Sequence, residues 1–135
     1  MQTPYHVGIV VPRLDESMAL LSAVLGTGWS DVQERGPADG QVRVVYSQAG
    51  PPYLELIEDR PGSVWESGGE LVLHHLGYWC DDLDATTRGL ADEGYAVEAD
   101  FGHARYLVAE SAGPRIEIVA RSALPQLAAL FGITG

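Results

Sequence analysis

Short apolar runs and one helical stripe alternate along the first half of the chain. Residues 4–11 are apolar on both faces of a two-residue period, which is typical of a buried strand, although His6 interrupts the run. Asp15 can cap the helix that follows, and Gly26 suits its C-terminal end. The stripe of this helix has apolar side chains at Leu14, Met18, Leu21 and Leu25. Three more predicted strands, at residues 29–34, 41–47 and 53–58, complete a β-α-β-β-β order.

The second half repeats this order of elements. A strand over residues 71–79 leads into a helix that begins at Asp84 and ends at Gly94. Three strands follow, at residues 96–100, 105–110 and 115–120. The pattern therefore predicts an α+β protein with one domain over residues 1–135. Its parts are module one (4–58), a linker without clear period (59–70), module two (71–121) and a short C-terminal helix (122–132).

A sequence motif marks the start of both predicted modules. His6 and His75 are each followed by an apolar residue, a glycine and an apolar residue, and eight positions later by Leu-Asp. The histidines are 75 − 6 = 69 residues apart, close to half of the 135-residue chain. Such a spacing indicates a duplicated unit. We therefore expect two related halves that each donate a histidine to one site. On a regular strand His74 points away from His75, which favours a structural role for His74.

Composition narrows the classes of partner. A formal charge of −11 opposes binding to a phosphate backbone, so nucleic acid is a poor partner. The single cysteine, Cys80, excludes an intramolecular disulfide and is most simply a small buried side chain. No apolar run approaches the ~20 residues of a membrane span, and the N-terminus lacks the regions of a signal peptide. We expect a protein of the reducing cytoplasm without membrane contact.

Each half ends in a predicted strand with a lone carboxylate among apolar residues, Glu55 in the first and Glu117 in the second. A carboxylate on a buried strand needs an ion pair or a cation, because an unpartnered buried charge costs several kcal/mol. Together with His6 and His75 these glutamates offer mixed nitrogen and oxygen donors, which suit a divalent first-row metal with open positions for substrate. The alternative is a set of unrelated core histidines and solvent-facing glutamates.

The two histidine motifs and the two strand glutamates resemble those of the vicinal oxygen chelate superfamily, which includes glyoxalases, bleomycin-resistance proteins and dioxygenases. The nearest branches are the glyoxalase-like proteins and the methylmalonyl-CoA epimerases. The matching segments are 6–9, 54–58, 74–77, 81–84 and 116–118. The resemblance implies two tandem βαβββ modules in a cupped, barrel-like mixed sheet around a divalent ion (Ni, Co, Mn, Zn or Fe). It gives ligand roles to His6, Glu55, His75 and Glu117, and it implies a homodimer.

The departures from these branches bear on the substrate. Arg43 takes the place in which the resemblance puts the glutamate base of the epimerases, and an arginine cannot act as a base. Arg43 and Arg105 are candidates for holding an anionic substrate, with surface ion pairs as the equal alternative. His103 could reach the substrate or lie on a surface turn, and Trp79 shares the face of His75 as a candidate pocket wall.

These observations favour a metal-dependent lyase or isomerase of a small oxygen-chelating substrate that reacts through an enolate-like intermediate. Glu117 or Glu55 would carry the proton. One alternative is a non-catalytic binding or resistance protein of the same fold, and another is an epimerase of a CoA thioester. An extradiol dioxygenase fits less well, because a fourth ligand at His6 would crowd its two-histidine, one-carboxylate site.

Overall fold

The structure is a computed structural model that describes residues 1, 3–110 and 113–135, so that residues 111 and 112 of module two lie outside the described part. The described residues form eight strands. They are β1 (His6–Val11), β2 (Gln33–Arg35), β3 (Val42–Tyr46), β4 (Tyr53–Glu58), β5 (Val72–Cys80), β6 (Tyr95–Asp100), β7 (Ala104–Ala109) and β8 (Ile116–Ala120). The helices are α1 (Leu14–Leu25), α2 (Leu83–Asp92) and α3 (Leu124–Phe131).

All eight strands belong to one mixed sheet, in the order β2-β3-β4-β1-β5-β8-β7-β6. Within each module the first and last strands pair in parallel, β1 with β4 and β5 with β8. The modules join where β1 and β5 pair antiparallel, at the centre of the sheet. The sheet curls into a half-barrel, and the predicted α+β class with two βαβββ modules is confirmed.

The first turns of α1 and α2 are capped in different ways. Asp15 does not cap α1, which begins at Leu14; the Leu14 N–H donates to Glu58 Oε2 from the neighbouring strand (3.0 Å). In α2 the Asp82 carboxylate accepts the N–H of Ala85 (3.0 Å), which is ordinary side-chain capping. Gly26 ends α1 with a φ of 71°, a left-handed conformation that suits glycine.

Helices α1 and α2 cover the convex face of the sheet and leave the concave face as a cup. The apolar side of α1 packs on module one through Leu14, Met18 and Leu21, and α2 packs on module two through Leu83 and Leu90. The largest cluster of buried apolar side chains lies on the concave side. Helix α3 closes part of the cup over module one, where the Phe131 ring lies 4.6 Å from the Tyr46 ring.

The linker between the modules has neither helix nor strand, but several contacts hold it in place. Trp65 is buried and belongs to the core of the cup. Asp59 Oδ1 accepts the N–H of Ser67 (2.6 Å), and the Arg60 N–H donates to the Trp65 carbonyl (3.0 Å). The linker is therefore part of the cup wall rather than a free connection. Among the described residues, no helix is both long and apolar enough to cross a bilayer.

Candidate metal centre and substrate cup

The histidines of the two repeated motifs meet at the centre of the sheet. In the β1–β5 pair, His6 stands opposite Gly77 and His75 stands opposite Gly8. A Cβ atom added at Gly8 would overlap the His75 ring, and one added at Gly77 would overlap the His6 ring. Each module's glycine thus makes room for the other module's histidine. This close approach is the physical reason for the His-x-Gly spacing in both copies.

The two glutamates arrive from the strands on either side of this junction. Glu55 on β4 is in register with Gly8, and Glu117 on β8 is in register with Gly77. The Nε2 atoms of His6 and His75 are 2.9 Å apart. Glu117 Oε1 lies 2.9 Å from His6 Nε2 and 3.3 Å from His75 Nε2, and Glu55 Oε1 lies 3.4 and 3.1 Å from the same atoms. The structure therefore brings all four predicted ligands together.

These donor separations fit a divalent metal ion. Donors bound at about 2.1 Å and at right angles to one another would be about 3.0 Å apart. The four atoms all lie within 4.8 Å of one another, and their residues are buried or half-buried. Both imidazoles present Nε2 to the cluster, and each carboxylate presents one oxygen. Two neutral imidazoles and two carboxylates also balance the charge of a divalent cation, so the residues fit the metal that the fold family implies.

The protonation of the cluster supports the same interpretation. Burial lowers the pKa of His6, but Glu55 and Glu117 outweigh it and raise this pKa to about 9. The pKa of His75 is likewise raised by Glu117 and Glu55 against the effect of burial. Burial alone would raise the pKa of Glu117, yet hydrogen bonds from His6 and His75 hold it at about 2. Because two imidazolium rings with Nε2 atoms 2.9 Å apart would repel each other, the metal-free pair takes up about one proton.

His74 does not point away from His75, as a regular strand would require. The register of β5 against β1 shifts between Gly8 and Ile9, which face His75 and Leu73, so His74 is the extra residue of a β-bulge. The bulge brings His74 Nδ1 to 2.8 Å from His75 Nδ1. His74 Nε2 lies 2.6 Å from the carbonyl oxygen of Val64 in the linker. Burial, followed by the charge of His75, lowers the pKa of His74 to about 4.

The cluster of four candidate metal ligands lies at the floor of a cavity of about 540 Å³. The side chains around this cavity are mainly aromatic and aliphatic, and module one, module two and the linker all contribute to it. The aromatic lining residues are Tyr5, Tyr46, Trp65, Phe101, Tyr106 and Phe131. Polar side chains also line the cavity, among them Glu34, Arg35, Asp100 and His103. The cup therefore has a wall of mainly aromatic and aliphatic side chains above a floor that carries Glu55 and Glu117.

Two tyrosines flank the cluster in equivalent positions. Tyr46 stands opposite Glu55 in the β3–β4 pair, and Tyr106 stands opposite Glu117 in the β7–β8 pair. Burial, reinforced by the nearby carboxylates, raises the pKa of both phenols well above the ordinary value, so both stay protonated. Trp65 Nε1–H donates to Tyr106 Oη (3.0 Å). The Tyr106 O–H is thus left to donate into the cup.

The structure corrects the predicted roles of both arginines. Val42, Val44 and Tyr46 of β3 line the cup, and Arg43 between them lies on the convex face. There Arg43 pairs with Glu58 (3.1 Å) and Asp15 (3.2 Å). Arg43 therefore does not stand in the cup beside the candidate metal ligands. Successive side chains of β3 lie on opposite faces of the sheet. An error of one residue in the expected position of this strand therefore moves Arg43 from one face to the other.

Arg105 is excluded from the cup for the same reason. It alternates with Ala104 and Tyr106, which line the cavity, and it pairs with Asp84 (2.9 Å) and Asp100 (3.2 Å) near the start of α2. The alternative of surface ion pairs therefore holds for both arginines.

The other two predicted substrate residues lie near the cavity. Trp79 stacks on Tyr5 with ring centroids 4.0 Å apart, and it is Tyr5 that lines the cup in front of it. His103 does line the cavity. The sequence suggested Trp65 as core or pocket wall, but sequence reasoning missed the other aromatic lining residues and the contact of His74 with His75. The available signals were the aromatic residues on the penultimate strands and the paired histidines themselves.

The sequence of this chain matches a known protein family. A family model described as the Glyoxalase/Bleomycin resistance protein/Dioxygenase superfamily matches residues 5–120. No curated protein sequence matches the chain.

Several solved structures share the fold. A methylmalonyl-CoA epimerase in complex with methylmalonyl-CoA and NH4+ has a TM-score of 0.70 and 22% identity, over 90% of this chain and 95% of that chain. The methylmalonyl-CoA epimerase from Mycobacterium tuberculosis has a TM-score of 0.64 and 24% identity, over 94% and 91%. A hypothetical protein from Bacillus halodurans C-125 has a TM-score of 0.65 and 20% identity, over 86% and 91%. At these identities the likeness establishes the fold.

Proposed function

The chain belongs to the glyoxalase/bleomycin resistance protein/dioxygenase superfamily, and from this premise we propose that it is a glyoxalase-like, divalent-metal-dependent lyase or isomerase. Its substrate is a small molecule with two oxygens that can chelate the metal. The observation that carries the proposal is the cluster of His6, Glu55, His75 and Glu117 at the floor of a cavity large enough for such a molecule. When bound, the metal would supply Lewis-acid polarisation of a substrate carbonyl.

The ligand carboxylates are also the bases nearest to a substrate in the cup. Glu55 and Glu117 each present Oε1 to the histidines, which leaves Oε2 of each carboxylate outside the cluster. Their side chains are 13% and 12% exposed, so they reach the cavity. The cup face of β3 consists of Val42, Val44 and Tyr46, which adds no further carboxylate beside the cluster. This favours transfer of a proton on one face of the substrate, by Glu117 or Glu55.

The lining of the cup favours an uncharged, planar or aromatic substrate over a CoA thioester. CoA carries a diphosphate and a second phosphate group, which need cationic partners. All eight basic side chains of this chain are arginines, against 19 acidic side chains. Of the described arginines, five are in ion pairs with carboxylates: Arg13, Arg43, Arg105, Arg115 and Arg121. Among the described residues that line the cavity, Arg35 is the one arginine.

The first experiment concerns the metal. Protein purified without a chelator or a histidine tag should contain a divalent transition metal, or should bind one on titration in a ratio of about one to one. Double replacement of His6 and His75 by alanine should remove this binding, because it deletes both nitrogen donors. A wild-type protein that neither contains nor binds Ni, Co, Mn, Zn or Fe would favour sequestration of a small molecule without metal.

The second experiment concerns the reaction. Metal-loaded protein is incubated in D2O with 2-hydroxyacetophenone, a neutral aromatic hydroxyketone, or with methylmalonyl-CoA, and exchange of the α-proton is followed by NMR. We expect metal-dependent exchange of the hydroxyketone only. Glu117→Gln or Glu55→Gln should slow it by roughly 100-fold or more, as for loss of a general base. Exchange of methylmalonyl-CoA would favour the epimerase alternative, and binding of the hydroxyketone without exchange would favour a resistance protein.

We also propose that the protein acts as a homodimer in the cytoplasm, where the buried thiol of Cys80 would stay reduced. A self-association surface is supported by exposed apolar side chains on the convex side, including Leu20 and Val24 of α1 and Leu73 of β5. Sedimentation at micromolar concentration tests the dimer, and a monomer throughout that range would contradict it.

A further inference from the structure

A hydrogen-bonded chain runs from the inter-module linker to the metal cluster. It begins at the carbonyl oxygen of Val64, passes through both ring nitrogens of His74 and ends at Nδ1 of His75. The distances are 2.6 Å from Val64 O to His74 Nε2 and 2.8 Å from His74 Nδ1 to His75 Nδ1. Both histidines are buried, with exposures of 4% and 2%, so water does not compete freely for these contacts.

The Val64 carbonyl oxygen at the outer end determines where each proton lies along this series of hydrogen bonds. A carbonyl oxygen can only accept, so His74 Nε2 must carry a hydrogen and donate it to Val64. Nδ1 of a neutral His74 then has a lone pair, and the proton between the rings belongs to Nδ1 of His75. A neutral His75 with hydrogen on Nδ1 has its lone pair on Nε2. That atom is the one within 3.1 Å of Glu55 and 3.3 Å of Glu117 in the cluster.

We infer that His74 is a positioning residue that holds His75 in the metal-binding tautomer, and that the linker carbonyl of Val64 anchors it. This inference rests on the proposed metal site. His74 is then not a spare core histidine, and the linker is not merely a connection between modules. The bulge in β5 is the feature that makes the contact possible, because an unbulged strand would direct His74 to the convex face.

The same chain of contacts also fixes the orientation of the His75 ring. A ring with a hydrogen bond on the atom opposite its metal-binding nitrogen cannot rotate without breaking that bond. Supporting contacts of this kind typically change metal affinity by about 10- to 100-fold when they are removed. His6 Nδ1 is buried but, among the described residues, has no hydrogen-bond partner, so module one lacks an equivalent contact.

Two substitutions at one position test the inference. His74→Phe keeps a planar ring but can neither accept from His75 nor donate to Val64. His74→Gln can do both with one amide group, so it is the matched control. We expect His74→Phe to weaken Zn²⁺ binding by about 10- to 100-fold, measured by competition with a chromophoric chelator. His74→Gln should bind Zn²⁺ within a few-fold of the wild-type protein.

A spectroscopic measurement separates positioning from packing. In the Zn²⁺-loaded wild-type protein, the Nδ1 proton of His75 should appear as a slowly exchanging, downfield NMR resonance. It should disappear in His74→Phe and persist in His74→Gln. The inference is overturned if His74→Phe binds Zn²⁺ as tightly as the wild type, or if both variants lose affinity equally and in proportion to the melting temperature of the metal-free protein.

The wild-type protein alone provides a test that does not depend on the folding of a variant. Nitrogen-15 chemical shifts of His74 should report a protonated Nε2 and an unprotonated Nδ1, and the reverse assignment would contradict the inference. Failure of the wild-type protein to bind any divalent metal would overturn the proposed function and this inference with it. Normal metal binding combined with an insensitive His74→Phe variant would overturn the inference alone.

Discussion

Module one and module two each contribute one histidine and one glutamate to the cluster of candidate ligands, but they hold their histidines differently. In module two, the residue before the ligand is His74, which contacts Nδ1 of His75 and the linker. In module one, the corresponding residue is Tyr5, whose ring packs edge-on against His6 at 4.3 Å and makes no hydrogen bond to it among the described residues. His75 is thus held at both ring nitrogens, whereas His6 is held at Nε2 alone and by packing of its ring.

The comparison indicates which features a duplicated fold must keep and which can diverge. The ligands and glycines at the β1–β5 junction depend on each other across the modules, because each glycine accommodates the other module's ring. Changing one copy therefore damages the other. The residues behind the rings have different partners, because Tyr5 stacks on Trp79 of module two and His74 contacts Val64 of the linker, so this position can differ between copies. The residues that the two modules share and the residues in which they differ can therefore be tested separately.

The largest effect is expected at the two glycines. In Gly8→Ala the new methyl group would overlap the His75 ring, and in Gly77→Ala it would overlap the His6 ring. Both sites lie on central strands, where the backbone has neighbours on each side. We expect each variant to lose metal affinity by more than the roughly 100-fold typical of a lost supporting contact. Isothermal titration with Zn²⁺ measures this, with circular dichroism to check folding.

Because the two histidine rings are held differently, the two glycine variants should lose metal affinity to different extents. His6 can tilt away from a methyl group, because its Nδ1 has no partner among the described residues, whereas His75 would have to break its contact with His74. Gly8→Ala should therefore lose more affinity than Gly77→Ala. Gly89→Ala in α2 is the control, because nothing lies within 4 Å of its added Cβ. It should leave metal binding unchanged and stabilise the fold by up to about 1 kcal/mol.

The second prediction uses the protons of the two histidines. Without metal, the carboxylates raise the pKa of His6 to about 9, so near pH 7 the pair carries about one proton that the metal must displace. Metal affinity should therefore rise by about tenfold per pH unit from pH 6 to 8 and level off above pH 9. The carboxylates add nothing in this range, because the pKa of Glu117 is about 2 and that of Glu55 lies below its ordinary value.

Calorimetry in buffers of different ionisation enthalpy checks this prediction directly. About one proton should be released per Zn²⁺ bound at pH 7, and almost none above pH 9. Release that stays at zero from pH 6 to 9 would mean that both imidazoles are neutral before the metal binds. That result would contradict the raised pKa of His6 and with it the electrostatic account of the cluster.

The sequence predicted the symmetric part of the site because the repeat carries it. Matched spacing marks His6 and His75, and a lone carboxylate on the last strand of each module marks Glu55 and Glu117.

Strand alternation gave the wrong direction for His74, because the bulge in β5 adds a residue that no local pattern reveals. Alternation puts Arg43 on the face opposite Val42 and Val44, but it does not tell which of these faces lines the cup, because both faces of β3 carry apolar residues. Trp65 lies in a segment without period, so its place in the cup depends on tertiary contacts.

The smallest effect is expected at Arg43, on the convex face of module one. Its side chain is 38% exposed and pairs with Glu58, which also accepts the first N–H of α1. Arg43→Ala should lower the free energy of unfolding by about 0 to 1 kcal/mol, since exposed ion pairs contribute little. Thermal unfolding should shift by at most about 4 °C. Zn²⁺ affinity and hydroxyketone binding should match the wild type, because Arg43 does not line the cup.

Arg105→Ala is the corresponding variant in module two, where the arginine pairs with Asp84 at the start of α2. Both arginines lie outside the cup, so the two variants should bind the hydroxyketone equally well. A tenfold loss in either one would show that the side chain turns inward when substrate is present. Such a loss in Arg43→Ala alone would mean that module one supplies a cation to the substrate. The modules would then differ in their direct contacts with the substrate as well as in the support behind their histidines.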